Sequence, residues 1–596
     1  MQIHELNTLN GKPVETDFLA IDTGFDTAKI SAKKLLEPKI DRPIDEHNQY
    51  DNGVAGQLLR SKGNGSTEWS DVGQPTDAQT AQAISDWLDA HPEATTTVQD
   101  GSLTKDKFSP ALKLEALNDF VTPEMFGAVG DGATDDSVAV QAAFDSGKPV
   151  HCENTYLIED IVVAKGVHII GGKFLDNGSL NHMLAFDDNG NTIDNVIIEN
   201  AIFDGQNTGN GLYLNYCNSP QIRNVEVKNI KYSGGTYGIQ VNRCFNAIIE
   251  NCYIHNVSND NSQPTRGVYS NRSTKTIVRD TIVHDVTSGN DGDGIQILFD
   301  GSQDETNDSC IVSNCKIYNC TKRYLKIQQK NTIIEKCTFI EEDSSFAASV
   351  ATIALYDTGC LVRDNYINGN CGTQIVCIGT AQADFTVWEN TRIVNNVIIS
   401  VSGTVYGYLI GTVAAAICDF KNFVITGNVL IGKDLSKAGI VFRNCSGVDL
   451  VVANNAFYNL SSGVHFRLDN GYNPPTVTRC SIVGNTFHAI RYTPVNVTSG
   501  FIMQYLAVVG NSFDVIDGIG QELNVIIIKS TSYDRDKITI ENNIGNGLDG
   551  WRRVGYSSLL PSYVPDGFVY FSRTITMPLT YWNGSWYKPD GTVYTP

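Results

Sequence analysis

The fold class predicted by this sequence is all-β, a solenoid of short stacked strands, on three observations. Hydrophobic residues make up 41% of the chain and glycines number 53, a composition that suits short strands and many turns. A four-residue phrase, two apolar residues, one polar residue and then usually Asn or Asp, recurs from about residue 190. Inside each phrase the apolar pattern has period two, which excludes helical repeats. A chain of 596 residues is too long for one compact core but not for an elongated repeat domain.

The phrase ends at Asn200, Asn224, Asn251, Asp280, Asn314, Lys336 and Asp364, and more loosely at Asn396, Asn428, Asn455, Asn485, Asn511 and Asn542. Intervals of 22 to 34 residues fit one rung of a solenoid. Strands stacked about 4.8 Å apart form ladders of equivalent residues. Before the Asn, the ladder Glu199, Arg223, Glu250, Arg279, Ser313, Glu335 and Arg363 nearly alternates in charge, as attraction between neighbouring strands requires. After it, Ala201, Val225, Cys252, Thr281, Cys315, Cys337, Asn365, Val397 and Val429 read as an inward stack. A second strand per coil, as in GLYLN, GIQVN, GVYSN, GIQIL and YLKIQ, presents an outward ladder of Tyr213, Gln240, Tyr269, Gln296, Lys326 and Ala354. Beside it run Asn215, Asn242, Asn271, Gln328 and Tyr356.

An exposed first coil needs a cap, and EMFGAVGDGATDDSVAVQAAF (124–144) stands where the cap belongs. Thr134, Asp135 and Asp136 suit an N-cap, and SVAVQAAFDSG spaces Val138, Ala142 and Phe144 as a short helix ending near Gly147. The acids here are therefore structural. This segment resembles the entry motif of the pectate-lyase-like superfamily, which implies a right-handed parallel β-helix over 151–548, with 121–150 as its lid.

Residues 1–120 differ from the repeat, with a mixed, partly helical character. A short amphipathic helix near 77–90 has Ala81, Ile84, Trp87 and Leu88 on one side, a face that chain-to-chain packing would cover. GQLLRSKGNGSTEWS and DGSLTKDKFS resemble segments of bacteriophage fibre and tail proteins. That resemblance implies a virion-attachment and oligomerisation region binding phage tail or baseplate proteins, a homotrimeric spike, and a place on the virion acting at the host surface. Residues 549–596, rich in Tyr, Trp and turn signals, predict a small C-terminal β module of hairpins. Its phrase MPLTYWNGSWYKPDG resembles a terminal module of phage tail proteins. Tyr581, Trp582 and Trp586 are either its core or a sugar platform.

A net charge of −22 argues against nucleic acid or an anionic membrane as partner and fits a glycan or protein. The sequence shows neither a signal peptide nor a membrane-spanning stretch. Fourteen cysteines without paired CxxC spacing predict buried space-filling thiols, with no metal and no cofactor. His255 and His284 occupy equivalent positions and predict a stacked pair.

The longest interval, Asp280 to Asn314, carries TSGNDGDG before GIQIL and FDGSQDETNDS after it. Long coils are where a solenoid places function. Asp291 and Asp293 are the candidate catalytic carboxylates, since glycoside hydrolysis needs an acid and a base or nucleophile; Asp260, Asp300 and Glu305 are alternatives for the second. Tyr269, Gln296, Arg323, Tyr324, Lys326 and Gln328 are the candidate substrate-binding residues. NDGDG and YLKIQ resemble the acidic and basic motifs of polygalacturonases, although the GHG motif of that family is missing. The rival chemistry is a polysaccharide lyase, with Arg323 or Lys326 as base. The sequence thus predicts a tailspike or receptor-binding protein that binds and depolymerises host surface polysaccharide. The alternatives are a non-catalytic glycan-binding spike and a bacterial lyase or hydrolase.

Overall fold

The computed structural model describes residues 120–595 apart from positions 180, 290, 300–308, 342–349, 370–372, 378–386, 401–406, 413–418, 434, 470–471, 499, 516–525, 529–537, 546–551, 556–568, 573–576 and 583–584. Before residue 120 it describes four strands, paired antiparallel as Phe18–Asp22 with Thr27–Ser31 and Gln57–Ser61 with Thr67–Asp71. The helix expected near 77–90 lies outside the described residues. Two compact units divide the chain, Met1–Ala116 and Leu117–Pro596.

The second unit is a parallel β-helix with three strands per coil. One sheet runs through Ile197–Glu199, Gln221–Arg223 and Ile248–Glu250, a second through Ile202–Thr208, Glu226–Lys231 and Tyr253–Asn259. The third has 14 strands, from Ile161–Val163 to Ile526–Ile528. The first sheet exists because each coil places a β-branched residue on its inner face. Ile198, Ile222, Ile249, Val278, Val312, Ile334 and Val362 pair in register and are all buried. Such side chains pack well on a pleated surface. Beside them the charge ladder forms as expected, with Arg279 2.8 Å from Glu250 and Arg363 on Glu335. Ala201, Val225, Cys252, Thr281, Cys315, Cys337 and Asn365 are buried as the sequence implies. Among the described residues eleven cysteines are buried, as space-filling thiols would be.

The turn after each first-sheet strand explains the recurrent Asn. Asn200, Asn224, Asn251, Asp280, Asn314, Lys336 and Asp364 have φ between 50° and 59°, a left-handed conformation that short polar side chains tolerate best. From the next coil as far as Asn511 the sequence register needs correcting by one residue, whereas Asn542 takes the left-handed turn as expected. Asn395, Gly427, Asn454, Gly484 and Gly510 take the left-handed turn, whereas Asn396, Asn428, Asn455, Asn485 and Asn511 are buried and continue the inward position of Asn365. Val397 is only half-buried, so it and Val429 do not belong to that stack. The buried amides bond one another: Asn428 Nδ2 donates to Asn455 Oδ1 at 2.9 Å and to the carbonyl of Ile393.

The cap forms over the first coil. Pro123–Phe126 is a short 3₁₀ helix, and Ser137–Phe144 is an α-helix. The acids are architectural: Asp131 accepts from the N–H groups of Ala133 and Thr134, Asp135 from Ser137, and Asp136 from Val129 and Gly130. The expected helix face needs correcting. Phe144 is buried as expected, but Val138 is 86% exposed and Ala142 half-buried, and Ala139, Val140 and Ala143 are buried in their place. Phe144 meets Phe174 edge-on at 6.1 Å, and Phe174 stacks on Phe203 at 4.9 Å. At the other end, Arg552–Gly555, Val569–Ser572, Met577–Trp582, Ser585–Tyr587 and Val593–Tyr594 form a five-stranded sheet. Tyr581 and Trp586 are its buried core.

Candidate functional site

Three consecutive strands of the third sheet, Thr265–Asn271, Gly292–Leu298 and Arg323–Gln328, build the candidate site. Their register aligns Arg266 with Asp293 and Asp293 with Arg323, then Tyr269 with Gln296 and Gln296 with Lys326. Each strand enters with an ionic residue and carries a polar or aromatic residue three positions later, so residues about 30 apart in sequence become neighbours in space.

The ionic groups converge on Asp291 and Asp293. Arg323 Nη1 lies 2.6 Å from Asp291 Oδ1 and 2.7 Å from Asp293 Oδ1. Lys326 Nζ is 3.3 Å from Asp291 Oδ2, and Arg266 Nη2 is 3.1 Å from the same oxygen. Asp293 is fully buried; its Oδ2 has no hydrogen-bond partner and lies 3.8 Å from Lys326 Nζ. Around this ionic centre, Arg266 sits over the Tyr269 ring, which stacks on Tyr237 at 5.3 Å. Arg266 Nε also bonds Gln296 Oε1, and Gln296 Nε2 donates to Gln328 Oε1 at 2.6 Å. Tyr356 faces both Arg323 and Lys326 at 5.8 Å.

The two carboxyl groups are driven apart. Burial would raise Asp291, but Lys326, Arg323 and Arg266 outweigh it and hold the carboxyl below its ordinary value. Burial dominates at Asp293 and, with the negative charge of Asp291, raises it despite Arg323. Burial also lowers Lys326, against the pull of Asp293. Asp291, whose side chain is 18% exposed, is therefore the accessible ionised carboxylate. Asp293 lies beneath it and anchors Arg323. One guanidinium nitrogen touches both carboxylates, so the pair does not enclose an open space in which a glycosidic bond would lie.

Seven of the eight predicted residues come together: Asp291, Asp293, Tyr269, Gln296, Arg323, Lys326 and Gln328. Tyr324 does not, and its assignment to substrate binding is corrected, because it is only 1% exposed. Alternation breaks at this strand entrance, where Gly294 and Tyr324 fall outside the paired register and a Cβ on Gly294 would lie 2.7 Å from Ile317 Cγ2. Asp260 pairs instead with Lys231 at 2.6 Å; Asp300 and Glu305 lie outside the described residues. His255 and His284 stack as predicted, 5.1 Å apart and 9° from parallel. Sequence reasoning missed Arg266 and Tyr237. Aligning RGVY, DGIQ and RYLK would have revealed Arg266, since all three phrases start the same distance before their shared apolar position. Among the described residues no cluster suits a metal ion, and no helix is long and apolar enough to cross a membrane.

Comparison with known proteins agrees with this architecture. Residues 162–340 and 210–432 match the family model described as a right-handed β-helix region, which makes the solenoid a right-handed parallel β-helix. Over 86 residues the chain is 35% identical to a capsule K30/K69-specific depolymerase of Klebsiella phage K5-2. That relationship spans 13% of this chain and only 11% of the depolymerase. Among solved structures, the adhesin PfbA of Streptococcus pneumoniae is similar at 18% identity, covering 59% of this chain and 99% of that one, with a TM-score of 0.46. The tailspike of E. coli bacteriophage HK620 with bound hexasaccharide is similar at 16% identity, covering 74% and 73%, with a TM-score of 0.41. At such scores these structures say nothing of this chain's activity.

Proposed function

We propose that this chain is a tailspike-type receptor-binding protein whose β-helix binds host surface polysaccharide and shortens it. The observation that carries the reading is the third-sheet face of Tyr237, Arg266, Tyr269, Asp291, Gln296 and Lys326. It combines stacked rings, guanidinium groups and amides around one accessible carboxylate, the chemistry that grips a hydroxyl-rich polymer. The short relationship to a phage capsule depolymerase and the resemblance of the N-terminal segments to phage tail proteins support it. In this reading the N-terminal region attaches to tail or baseplate proteins, and three copies form the spike on the virion.

Asp291 is the carboxylate placed at the scissile bond. Arg266, Arg323 and Lys326 keep it ionised, and Asp293 positions Arg323. Hydrolysis then takes its second carboxyl from outside the Asp291 and Asp293 pair, since Arg323 stands between them. One observation favours elimination as a second reading: Lys326, lowered by burial, suits a base that removes the proton beside a uronate carboxylate. Arg266 or Arg323 would neutralise that carboxylate, the C–O bond to the leaving sugar would break, and a ring double bond would form.

Purified protein incubated with the host's surface polysaccharide tests these readings, following polymer length, new reducing ends and ultraviolet absorbance of unsaturated ends. Hydrolysis produces reducing ends without absorbance; elimination produces one absorbing end per cut and stops in Lys326→Gln. Asp291→Asn should lower the rate by about 10²–10⁴-fold while the protein stays folded. Intact polymer retained by the protein would make it a non-catalytic spike, and polymer neither bound nor cut would overturn the proposal.

A further inference from the structure

A second site lies on the same sheet, farther along the ladder of paired residues that contains Lys326. From Lys326 the register passes through Ala354, Val376, Gly411 and Val441 to His465 and then Asn496. The five steps from Lys326 to His465 span about 24 Å at the usual strand spacing. There the strands Tyr408–Thr412, Ala438–Arg443, Ser462–Arg467 and Thr493–Val497 frame a cavity of about 370 Å³, with Tyr408, Arg443, His465, Arg467, Tyr492 and Asn496 in its wall.

The charge of this cavity contrasts with that of the chain. Among the described residues no Asp or Glu lines it, although the protein carries a net charge of −22. Arg443 Nε and Arg467 Nε both bond Asp469, the latter at 3.2 Å. Two guanidinium groups thus share one carboxylate, and among the described residues only the Nε of each is engaged. Their Nη groups remain for a ligand. Tyr492, 45% exposed, offers a ring face, and Ser436, Ser461, Ser462 and Thr493 line the remaining wall. Asn496 Nδ2 donates to His465 Nε2 at 3.3 Å, which fixes the imidazole at the cavity wall.

We propose that this cavity is a binding site for a carboxylate-bearing sugar, a uronate-type residue within an acidic polysaccharide. Planar guanidinium forks match carboxylates, an exposed ring packs on a sugar face, and hydroxyls serve the ring's own oxygens. The inference rests on the polysaccharide reading and narrows its substrate class to acidic polymers. Such a polymer, lying along the sheet, meets the Arg266, Arg323 and Lys326 cluster and this cavity in turn.

The test is calorimetry with an oligoglucuronate and its carboxyl-reduced counterpart, on the full chain at low ionic strength. Wild type should bind the acidic oligomer at least tenfold more tightly than the reduced one, and Arg443→Gln/Arg467→Gln should lower that preference several-fold, leaving only what the Arg266, Arg323 and Lys326 cluster supplies. Tyr492→Ala, at an exposed rim position, should weaken both oligomers and keeps the test usable if the double variant melts early. Equal binding of the two oligomers, no binding of either, or an unchanged preference in Arg443→Gln/Arg467→Gln would overturn the inference. Failure of the two proposals is distinguishable: host polymer still bound and cut by Arg443→Gln/Arg467→Gln at wild-type level sinks only the cavity. Acidic oligomer held in the cavity with host polymer neither bound nor cut sinks only the functional proposal.

Discussion

Asp293 is fully buried against Arg323, so removing Arg323 takes away its hydrogen-bonded partner, whereas Arg323 without Asp293 still pairs with Asp291 at 2.6 Å. Arg323→Ala should cost about 3–5 kcal/mol in urea melts, because it strands a buried carboxyl. The pH dependence has a definite sign. The folded-state pKa of Asp293 is raised above the ordinary aspartate value of 3.8, so its contribution is favourable below 3.8 and is lost as pH rises through the folded value. Asp291 is lowered, and its contribution, present above 3.8, is lost as pH falls through its folded value. Asp293→Asn, which keeps an acceptor for Arg323, should therefore outperform Asp293→Ala at pH 7. Relative to wild type, Asp293→Asn should gain stability as pH rises through the folded value of Asp293. A second residue-scale prediction concerns Lys336, a long side chain at φ 55° where other coils use Asn, Asp or Gly. Lys336→Asn should stabilise by up to about 1 kcal/mol, since a short polar side chain tolerates the left-handed region better.

The strands of the first sheet show both what was legible and what was not. The alternation of Glu199, Arg223, Glu250 and Arg279 could be read directly because each charge occupies the same offset in a repeated phrase. The Asn series slipped at Asn396 because an Asn-Asn pair offers two positions to one expected Asn, and a one-residue slip exchanges the inner and outer faces. Tertiary packing resolves the ambiguity: Asn395 takes the left-handed turn and Asn396 is buried. Asn428→Ala should cost about 1–3 kcal/mol, because the buried Asn396 and Asn455 lose partners. The same change at Asn224, on the exposed turn, should cost less in the same melts. Val138 illustrates the limit of helical spacing over only eight residues: several rotations of so short a helix bury apolar groups, and the coil beneath it chose Ala139, Val140, Ala143 and Phe144.

At the scale of the whole molecule, stability passes from coil to coil through interior stacks that begin beneath the cap. Phe144, Phe174 and Phe203 form one such stack. Phe144→Ala should lower stability by about 3–5 kcal/mol and expose the first coil, with aggregation on heating as the visible consequence. Period, composition and the entry motif by themselves determined the β-helix, its cap, the inward apolar ladders and the long coil that carries Asp291 and Asp293. Only the tertiary structure decided that those two acids share one guanidinium, that Arg266 completes the cluster, that Tyr324 is buried, and that a cation-lined cavity lies about five strand steps away. The physical reason is the geometry of a solenoid. Neighbours within a strand are adjacent in sequence, but neighbours across coils are some 30 residues apart and depend on bulges, loop lengths and side-chain packing that no local pattern records.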